Sequence, residues 1–532
     1  KREEHRIVIA GGGLAGLTAA AYLSRAGFDV LLLEQREQPG GLLNSFERDG
    51  FVFDGGARSI ENSGIIRPML ADLGIDLELL DSPVSIGIGS DVIDFHSRES
   101  IGEYEALLAR LYPENRADVR AIFRKITRVM RDMDVIYGFD NPIFRDLQND
   151  RSYIFRELLP WLGKFLLAVR RMEKMDQPIE EYLKRFTDNR SLRDIIAQHF
   201  FRSTPTFFAL GYFFVYLDYL YPKGGTGNLA KAIAERAKSW GAGIQTSCSV
   251  TNIRPAGKEL LDSGGNSYGY DTLIWCADLK SLYRILDTDG LDNLAVERIQ
   301  ATRQRLDASR GGDSIFSLYL GLDAVPEEYA SRSRGHFFYT PSENGLAATH
   351  REELEAIVSD FSSYSREQIH AWLERYCRLN TYEISIPALR DASLAPAGKT
   401  GLIASILFEY DLVRSIQDAG WYDEFREAVS DRMIDTLAAS IYPDIKKQVL
   451  FRFSSTPLTI ERDFGSSEGG ITGWTYERPV PVVNELRKIP KAVKTPIDGI
   501  YQAGQWAYSP AGIPTAILTG KYAADDIIKN TK

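Results

Sequence analysis

Four residues near the start of the chain have the types and spacing that bind a dinucleotide. Gly11, Gly13 and Gly16 form a glycine-rich turn that follows an apolar run. Glycines at these positions permit a tight turn, the approach of a pyrophosphate to the backbone, and close packing of a helix on a strand. Glu34 ends a second apolar run, 28–33, where its carboxylate accepts the hydroxyls of an adenosine ribose and repels a 2′-phosphate.

The turn leads into an alanine-rich segment that predicts a helix beginning near Leu14 and Ala15. Unpaired N–H groups and the positive end of the helix dipole then face the phosphates. The alternative is that the glycines only let two elements pack closely. Strand, turn, helix, strand and acid occur in the required order, which favours dinucleotide binding.

Further glycine-rich segments distinguish between the common dinucleotides. They are Gln35, Gly40, Gly41 and Leu42 after the acid, and Gly55, Gly56 and Ala57 further on. NAD does not require them, whereas FAD lies extended through a protein and needs backbone close to its ribityl chain and ring. A hairpin with glycine turns is the alternative for 50–57. We predict that the cofactor is FAD.

Four segments spread along the chain carry further motifs. They are YPKGGTGNL at 221–229, DTLIWCAD at 271–278, a turn containing SLAP within 387–398, and 456–470, which begins Thr-Pro. Together they resemble the phytoene desaturase family of FAD-dependent oxidoreductases, which includes carotenoid desaturases, carotenoid isomerases and retinol saturases. The resemblance implies that Val250 contacts the adenine and that Ala277 lies at the cofactor, although Cys276 replaces an asparagine of the family motif.

The C-terminal segment completes the resemblance. Gly504 and Gln505 form a turn after a short strand, and Gly512, Ile513 and Pro514 then open a helix. Such a helix directs its N-terminus at the flavin pyrimidine edge, where negative charge develops on reduction. The residues at 505–508 depart from the desaturase consensus, so desaturase, saturase and isomerase remain alternatives.

The order of these segments predicts an α/β fold. We expect a Rossmann-like FAD-binding domain of the glutathione-reductase or amine-oxidase type, with an inserted α+β substrate domain and a helical segment. The FAD-binding domain is predicted to be discontinuous, at 1–81, 221–286 and 456–532. Residues 82–220 are predicted to form a mainly helical insertion that faces the substrate or a membrane, and 287–455 a substrate domain of sheet and helices.

Composition limits the partners and the compartment. A net charge of −10 argues against nucleic acid. The three cysteines and six histidines show no metal spacing, so no metal site is predicted. Reduced cysteines, and a dinucleotide motif that leaves no room for a signal peptide, favour the cytoplasm. No uninterrupted apolar run is long enough to span a membrane.

Two predicted helices, 119–133 and 155–175, interleave basic residues with aromatic and aliphatic ones. Basic amphipathic helices of this kind lie in the headgroup layer of a membrane and admit lipid-dissolved substrates. The alternative is a half-buried helix with a solvated basic face. Peripheral membrane contact therefore remains an open alternative.

The chemistry expected is hydride exchange between flavin N5 and a carbon–carbon bond, which needs no dense catalytic cluster. Aromatic residues crowd 200–221 and suit an extended apolar substrate such as a polyene or isoprenoid. His199, Asp218 and Glu409 are candidate proton-transfer groups, with a structural role as the alternative. The electron donor or acceptor is left open.

Two other functions share this architecture. One is a flavin amine oxidase or protoporphyrinogen oxidase. The other is a prenyl-lipid carrier of the Rab GDP-dissociation-inhibitor type, which lacks flavin. The intact glycine turn and Glu34 disfavour the carrier.

Overall fold

The glycine turn lies between the strand Arg2–Ala10 and the helix Leu14–Arg25 in the computed structural model, which describes residues 2–147, 150–348 and 351–531. The strand pairs in parallel with Val30–Leu33 on one side and with Ser267–Trp275 on the other. All four residues of Val30–Leu33 are buried, as expected of a strand covered on both faces.

This nucleotide-binding sheet has seven strands. Their spatial order is Gly243–Gln245, Val30–Leu33, Arg2–Ala10, Ser267–Trp275, Glu259–Asp262 and Val250–Arg254, and Ile500–Gln502 pairs with Ser267–Trp275. Four strands run parallel to Arg2–Ala10 or to its partners, so their carboxyl ends meet at one edge. Ligands of open parallel sheets bind at that edge.

Three helices cover one hydrophobic core of this sheet: Leu14–Arg25, Gly227–Ser239 and Ile513–Thr531. Leu279–Ile285 and Asn293–Asp307 contribute to the second core, on the other strand faces. Apolar side chains that alternate along Arg2–Ala10 enter different cores, because successive strand residues point to opposite faces.

A second sheet, also of seven strands, forms the substrate domain. Its order is Val449–Ser455, Ser314–Leu322, Thr400–Phe408, Tyr382–Ser385, His336–Thr340, Val84–Ile88 and Asp91–Phe95. Its helices are Pro326–Ala330, Arg351–Ser359, Arg366–Leu379, Tyr410–Asp418, Tyr422–Ser440, Ile445–Gln448 and Pro457–Phe464. Their apolar faces pack on the sheet in a single core.

The structure differs from the predicted domain boundaries at two places. The helix Pro457–Phe464, within the segment predicted for the FAD-binding domain, packs in the core of the substrate domain. Val84–Ile88 and Asp91–Phe95 lie within the segment assigned to the helical insertion, yet they complete the substrate-domain sheet by pairing with His336–Thr340. The partner strand is distant in sequence, so no local pattern reveals this pairing.

The helical region contains Ser100–Leu111, Arg116–Tyr137, Arg151–Tyr153, Leu159–Glu173, Ile179–Leu183, Arg190–Ala197 and Thr206–Val215. A π-helical turn, Ile154–Leu158, joins the third to the fourth. Smaller elements are the hairpin Ser45–Arg48 with Phe51–Asp54, the helix Ile66–Leu73, and a sheet of Ile60–Glu61, Tyr219–Pro222 and Leu79–Asp81. Within the described ranges, no helix combines the length and apolarity needed to cross a membrane.

Candidate cofactor cradle and substrate cavity

The glycine turn has the geometry of a pyrophosphate cradle. Gly11 has a positive φ of 108°, and a Cβ there would lie 2.8 Å from the carbonyl oxygen of Cys276. A Cβ on Gly16 would lie 2.0 Å from the carbonyl oxygen of Gly11, so the helix packs backbone to backbone on the turn. At Gly13 no atom lies within 4 Å of the Cβ position, which leaves the backbone open to a ligand.

Glu34 lies at the adjoining strand end and is only 6% exposed. Its Oε2 accepts a hydrogen bond from the Gly12 N–H at 2.7 Å, and its Oε1 accepts one from the Arg36 N–H at 2.8 Å. These bonds hold the carboxylate at the turn, and each oxygen keeps acceptor capacity for a ribose hydroxyl.

The two later glycine segments lie beside the turn. The Gly40 N–H donates to the Gly12 carbonyl at 2.8 Å, and a Cβ on Gly41 would lie 3.3 Å from the Gly13 Cα. A Cβ on Gly56 would lie 1.8 Å from the carbonyl oxygen of Leu42, and the Ala57 N–H donates to that oxygen at 3.2 Å. Both predictions for this segment hold. Phe51–Asp54 is a hairpin strand, and residues 55–57, which follow it, pack closely on the backbone of Leu42. Gly55 belongs to the same contact, with its N–H donating to Asn44.

The predicted adenine side lies next to Glu34. The Cys248 N–H donates to the Glu34 carbonyl at 2.9 Å, which brings the start of the Val250–Arg254 strand to the acid. Val250 and Ala277 pack against the same hydrophobic core. Gln35 is exposed, and its side-chain amide donates to the carbonyl of Asp463 at 3.5 Å.

The C-terminal segment closes the cradle. The Gly504 N–H donates to Thr519 Oγ1 at 2.8 Å, and a Cβ on Gly504 would lie 3.5 Å from the Ala15 Cβ. A Cβ on Gly520 would lie 2.3 Å from the Ala15 carbonyl oxygen, so the first and last helices also pack backbone to backbone.

The last helix begins as predicted. It spans Ile513–Thr531 with Pro514 in its first turn, and the Gly512 N–H donates to Thr515 Oγ1 at 2.9 Å. A Cβ on Gly473 would lie 2.1 Å from the carbonyl oxygen of Gln505. The backbone at Gly473 therefore packs directly against the loop that contains Gln505. The open backbone at Gly13, the placed carboxylate and two helix N-termini fit FAD.

Aromatic side chains line the junction of the helical region and the substrate-domain sheet. Tyr216 and Phe338 stack with ring centroids 5.0 Å apart. Phe208 meets Tyr212 edge to face at 5.3 Å and Tyr476 at 6.5 Å. Phe208 and Tyr212 stay partly accessible in this interior region, which indicates that they face a cavity.

Comparison with known proteins decides the family. Residues 14–326 match the model of the flavin containing amine oxidoreductases, which is more than half of the chain. The chain belongs to this family. FAD is therefore its cofactor, as the cradle predicts, and the protein is an oxidoreductase of the flavin amine oxidase type.

Relatives in this family include enzymes of carotenoid metabolism. The chain is 24% identical to prolycopene isomerase 2, chloroplastic, of an Oncidium hybrid cultivar, over 98% of this chain and 83% of that protein. It is 21% identical to a 4,4′-diapophytoene desaturase of Staphylococcus aureus (strain bovine RF122 / ET3-1), over 99% of both. The resemblance to the desaturase and isomerase group is confirmed at this low identity.

Solved structures confirm the fold. An oxidoreductase from Methanosarcina mazei superposes with a TM-score of 0.60 at 14% identity, covering 98% of this chain and 100% of that one. A putrescine oxidase redesigned in its cofactor binding superposes with a TM-score of 0.60 at 13% identity, covering 100% of both. The predicted Rossmann-like FAD-binding fold is confirmed.

The three candidate proton-transfer residues contact different groups. His199 Nδ1 lies 3.4 Å from the Tyr216 hydroxyl, and burial lowers the pKa of His199 to about 4. Asp218 Oδ2 accepts from the Ser63 N–H at 2.6 Å, and burial raises the pKa of Asp218 to about 6. These contacts do not assign any of them to the chemistry.

Glu409 has a structural position. Its carboxylate accepts from the Asp411 N–H at 3.4 Å, capping the helix Tyr410–Asp418, and lies 3.8 Å from the Arg310 guanidinium. Burial, followed by the charge of Asp411, raises the pKa of Glu409.

Sequence reasoning missed a polar group on the cavity wall. His336 Nε2 lies 2.8 Å from Glu383 Oε1, and His336 Nδ1 lies 3.0 Å from Ser59 Oγ. The His336 side chain is 1% exposed, whereas 35% of the Glu383 side chain is accessible. The available signal was an acid, Glu383, between the apolar residues Tyr382 and Ile384 of the strand Tyr382–Ser385.

Two buried arginines lie behind this group. Arg58 Nη2 donates to Ser405 Oγ at 3.0 Å, and Arg390 Nη1 donates to the Arg58 carbonyl at 2.7 Å. The Arg390 guanidinium stacks over the Tyr221 ring at 4.0 Å. Burial would raise the pKa of Glu383, but its hydrogen bond to His336 and the charges of the arginines outweigh burial and lower it.

Proposed function

We propose that the protein is an FAD-dependent oxidoreductase that acts on carbon–carbon double bonds of a long apolar polyene or isoprenoid, by carotenoid-type desaturation, saturation or isomerisation. The observation that carries this proposal is the cluster of aromatic rings at the junction of the substrate-domain sheet and the helical region, in which Phe208 and Tyr212 stay partly accessible. The names of the relatives, a prolycopene isomerase and a diapophytoene desaturase, support the same substrate class.

Bound FAD supplies hydride exchange at N5, and the chain supplies binding, orientation and exclusion of water. The partly accessible rings of Phe208 and Tyr212 would offer apolar faces to a conjugated chain, and the buried ring of Tyr216 packs against Tyr212. Their tilted and edge-to-face packing fixes the wall, so an extended substrate is held without many polar contacts.

We also propose that the protein docks on a membrane surface. The segment 155–167 presents five exposed apolar side chains: Phe155, Leu159, Leu162, Leu166 and Leu167. Phe155 is 68% exposed and Leu167 56%. Arg156, Lys164 and Arg170 on the same helical segment are exposed as well. An apolar face beside basic residues fits an anionic headgroup layer, and it would give access to a substrate dissolved in lipid.

The function is tested with three compounds under anaerobic conditions. The FAD-loaded protein is incubated with prolycopene, with 4,4′-diapophytoene or with putrescine, and flavin reduction and product composition are followed. We expect conversion of a hydrocarbon and no reaction with putrescine. Reaction with putrescine alone would replace the proposal with amine oxidation, for which the family model is the supporting observation.

A further inference from the structure

Glu61 lies where the cofactor cradle, the substrate-domain sheet and the helical region meet. It follows the cradle segment that ends at Ala57, and the strand Ile60–Glu61 pairs with Tyr219–Pro222, Glu61 lying opposite Tyr219. The same short strand lies against the C-terminal helix Ile513–Thr531. Glu61 is thus connected to the glycine segment at 55–57 through the chain and to the C-terminal helix through its strand.

One of the two carboxyl oxygens of Glu61 is left without a partner in the part of the protein that the structure describes. This oxygen, Oε2, is buried. An unpaired buried carboxyl oxygen costs folding free energy, so its presence needs an explanation. The side chain as a whole keeps partial accessibility deep in the protein, as do Tyr212 and Glu383, which indicates a shared internal space.

Asp218 provides a contrast in the same neighbourhood. It accepts from the Ser63 N–H at 2.6 Å, and the Asn62 N–H donates to its backbone carbonyl at 3.4 Å. Asp218 is therefore a structural acid of a turn. Glu61 has no comparable anchor on Oε2.

The charged and titratable groups around Glu61 come from three elements. Asp218 precedes its partner strand, Glu383 belongs to the substrate-domain sheet and is paired with His336, and Tyr212 and Tyr219 stand on the aromatic side. Burial, with the charges of Asp218 and Glu383, raises the pKa of Glu61 to about 7. A carboxyl with this pKa exchanges a proton near neutral pH.

We infer that Glu61 is the proton acceptor of the desaturation reaction, and the donor in the reverse direction. This inference rests on the proposed function. A hydride leaves one substrate carbon for oxidised FAD, and the positive charge left on the chain makes the neighbouring C–H acidic. The Glu61 carboxylate takes that proton, and the electron pair of the broken C–H bond becomes the new π bond. The substrate is oxidised by two electrons, FAD is reduced, and Glu61 becomes protonated.

The surrounding aromatic rings support this step. Tyr212, Tyr216 and Tyr219 lie close to one another, with ring centroids 5.9 Å apart for the first pair and 6.1 Å for the second. Aromatic faces stabilise a nearby cation. A carboxylate beside these aromatic rings would stabilise positive charge on the substrate chain and accept its proton.

The first test does not depend on turnover. The infrared carboxyl band of Glu61 is followed as pH rises through about 7 in wild type, Glu61→Gln and Asp218→Asn. We expect the Glu61 band to titrate near this pH in wild type, at a lower pH in Asp218→Asn because the charge of Asp218 is removed, and to be absent from Glu61→Gln, which keeps only the Asp218 band near pH 6. The same band in Glu61→Gln, or its absence from wild type, would overturn the inference.

The second test measures anaerobic flavin reduction by 4,4′-diapophytoene, a substrate that can lose a hydride, in a single turnover. Glu61→Gln should slow reduction at least about 100-fold, with FAD content and thermal unfolding unchanged, whereas Asp218→Asn should stay within a few-fold of wild type. The wild-type rate should rise with pH through about 7, and Glu61→Gln should lose this inflection.

The outcomes separate the two proposals. Equal rates in wild type and Glu61→Gln would overturn the role of Glu61 while the function stands. Failure of wild type to convert either hydrocarbon would contradict the proposed function, and the role of Glu61 in it would fall as well.

Discussion

At the residue scale, Glu34 connects the dinucleotide motif to a specific contact. The backbone N–H groups of Gly12 and Arg36 hold its carboxylate at the turn, so ribose hydroxyls meet a fixed acceptor. Glu34→Ala should weaken FAD binding by about 10- to 100-fold, because a hydrogen bond to a charged group contributes about 1.5–3 kcal/mol. Glu37→Ala, at an exposed neighbouring position, is the control, and the dissociation constants are measured by flavin fluorescence. Equal affinity of Glu34→Ala and Glu37→Ala for FAD would show that Glu34 does not bind the ribose.

His199 predicts a pH dependence of folding stability. Burial among aromatic rings lowers its folded pKa to about 4, below the ordinary value of 6.5, so folding favours the neutral imidazole. The stability that comes from keeping this imidazole neutral is fully present above pH 6.5, and the free energy of unfolding falls as pH drops from 6.5 toward 4. His199→Phe should reduce the acid-induced loss of unfolding free energy by about 3 kcal/mol over this range. Denaturant unfolding at several pH values measures it, with exposed His96→Gln as the control. If the free energy of unfolding depends on pH equally in wild type and His199→Phe, His199 is not the group responsible.

At the element scale, two glycines of one turn have different roles. Gly16→Ala places a methyl group 2.0 Å from the Gly11 carbonyl, so it should destabilise the folded state by about 1–3 kcal/mol or more. Gly13 has φ −71° and open space at its Cβ position, so Gly13→Ala should fold normally and bind FAD at least about 10-fold more weakly. Thermal unfolding and flavin titration of both variants distinguish the two roles. Equal effects on folding and on binding would refute the distinction.

Elements with a local pattern could be predicted from the sequence, and elements formed by distant pairing could not. The apolar run at 28–33 contains the strand Val30–Leu33, and the glycine turn precedes the predicted helix, which spans Leu14–Arg25. The helix predicted at 155–175 begins inside the π-helical turn Ile154–Leu158 and is a regular α-helix only over Leu159–Glu173. Pro160 lies just beyond this turn and lacks the N–H that a regular helix requires there.

The same reasoning explains what was missed in the site. The cradle residues lie in segments with recognisable spacing, and the structure brings 11–16, 34, 40–42 and 55–57 together. Glu61 and Glu383 reach the cavity only through the pairing of Ile60–Glu61 with Tyr219–Pro222 and of His336–Thr340 with Tyr382–Ser385. The acid in Tyr382–Ser385 is a local signal, but the long-range pairing that positions Glu61 and Glu383 leaves no signature in either segment alone.

At the scale of the whole molecule, the exposed apolar face predicts vesicle binding. The triple variant Leu159→Ser, Leu166→Ser and Leu167→Ser should bind vesicles of phosphatidylcholine and phosphatidylserine about 100-fold more weakly, at roughly 1 kcal/mol for each leucine. The control variant changes three exposed residues elsewhere, Leu294→Ser, Val325→Ser and Leu450→Ser. Sedimentation with vesicles measures both. Equal losses in the two variants would exclude 155–167 as the docking face.

The most direct measurement of the central claim is the absorbance spectrum of the purified protein before and after addition of FAD, in wild type and Gly13→Ala. A cradle built around Gly13 and Glu34 predicts a flavin band near about 450 nm that stays with wild-type protein through gel filtration and is lost from Gly13→Ala. Wild-type protein that leaves the column without flavin after incubation with FAD would contradict the account.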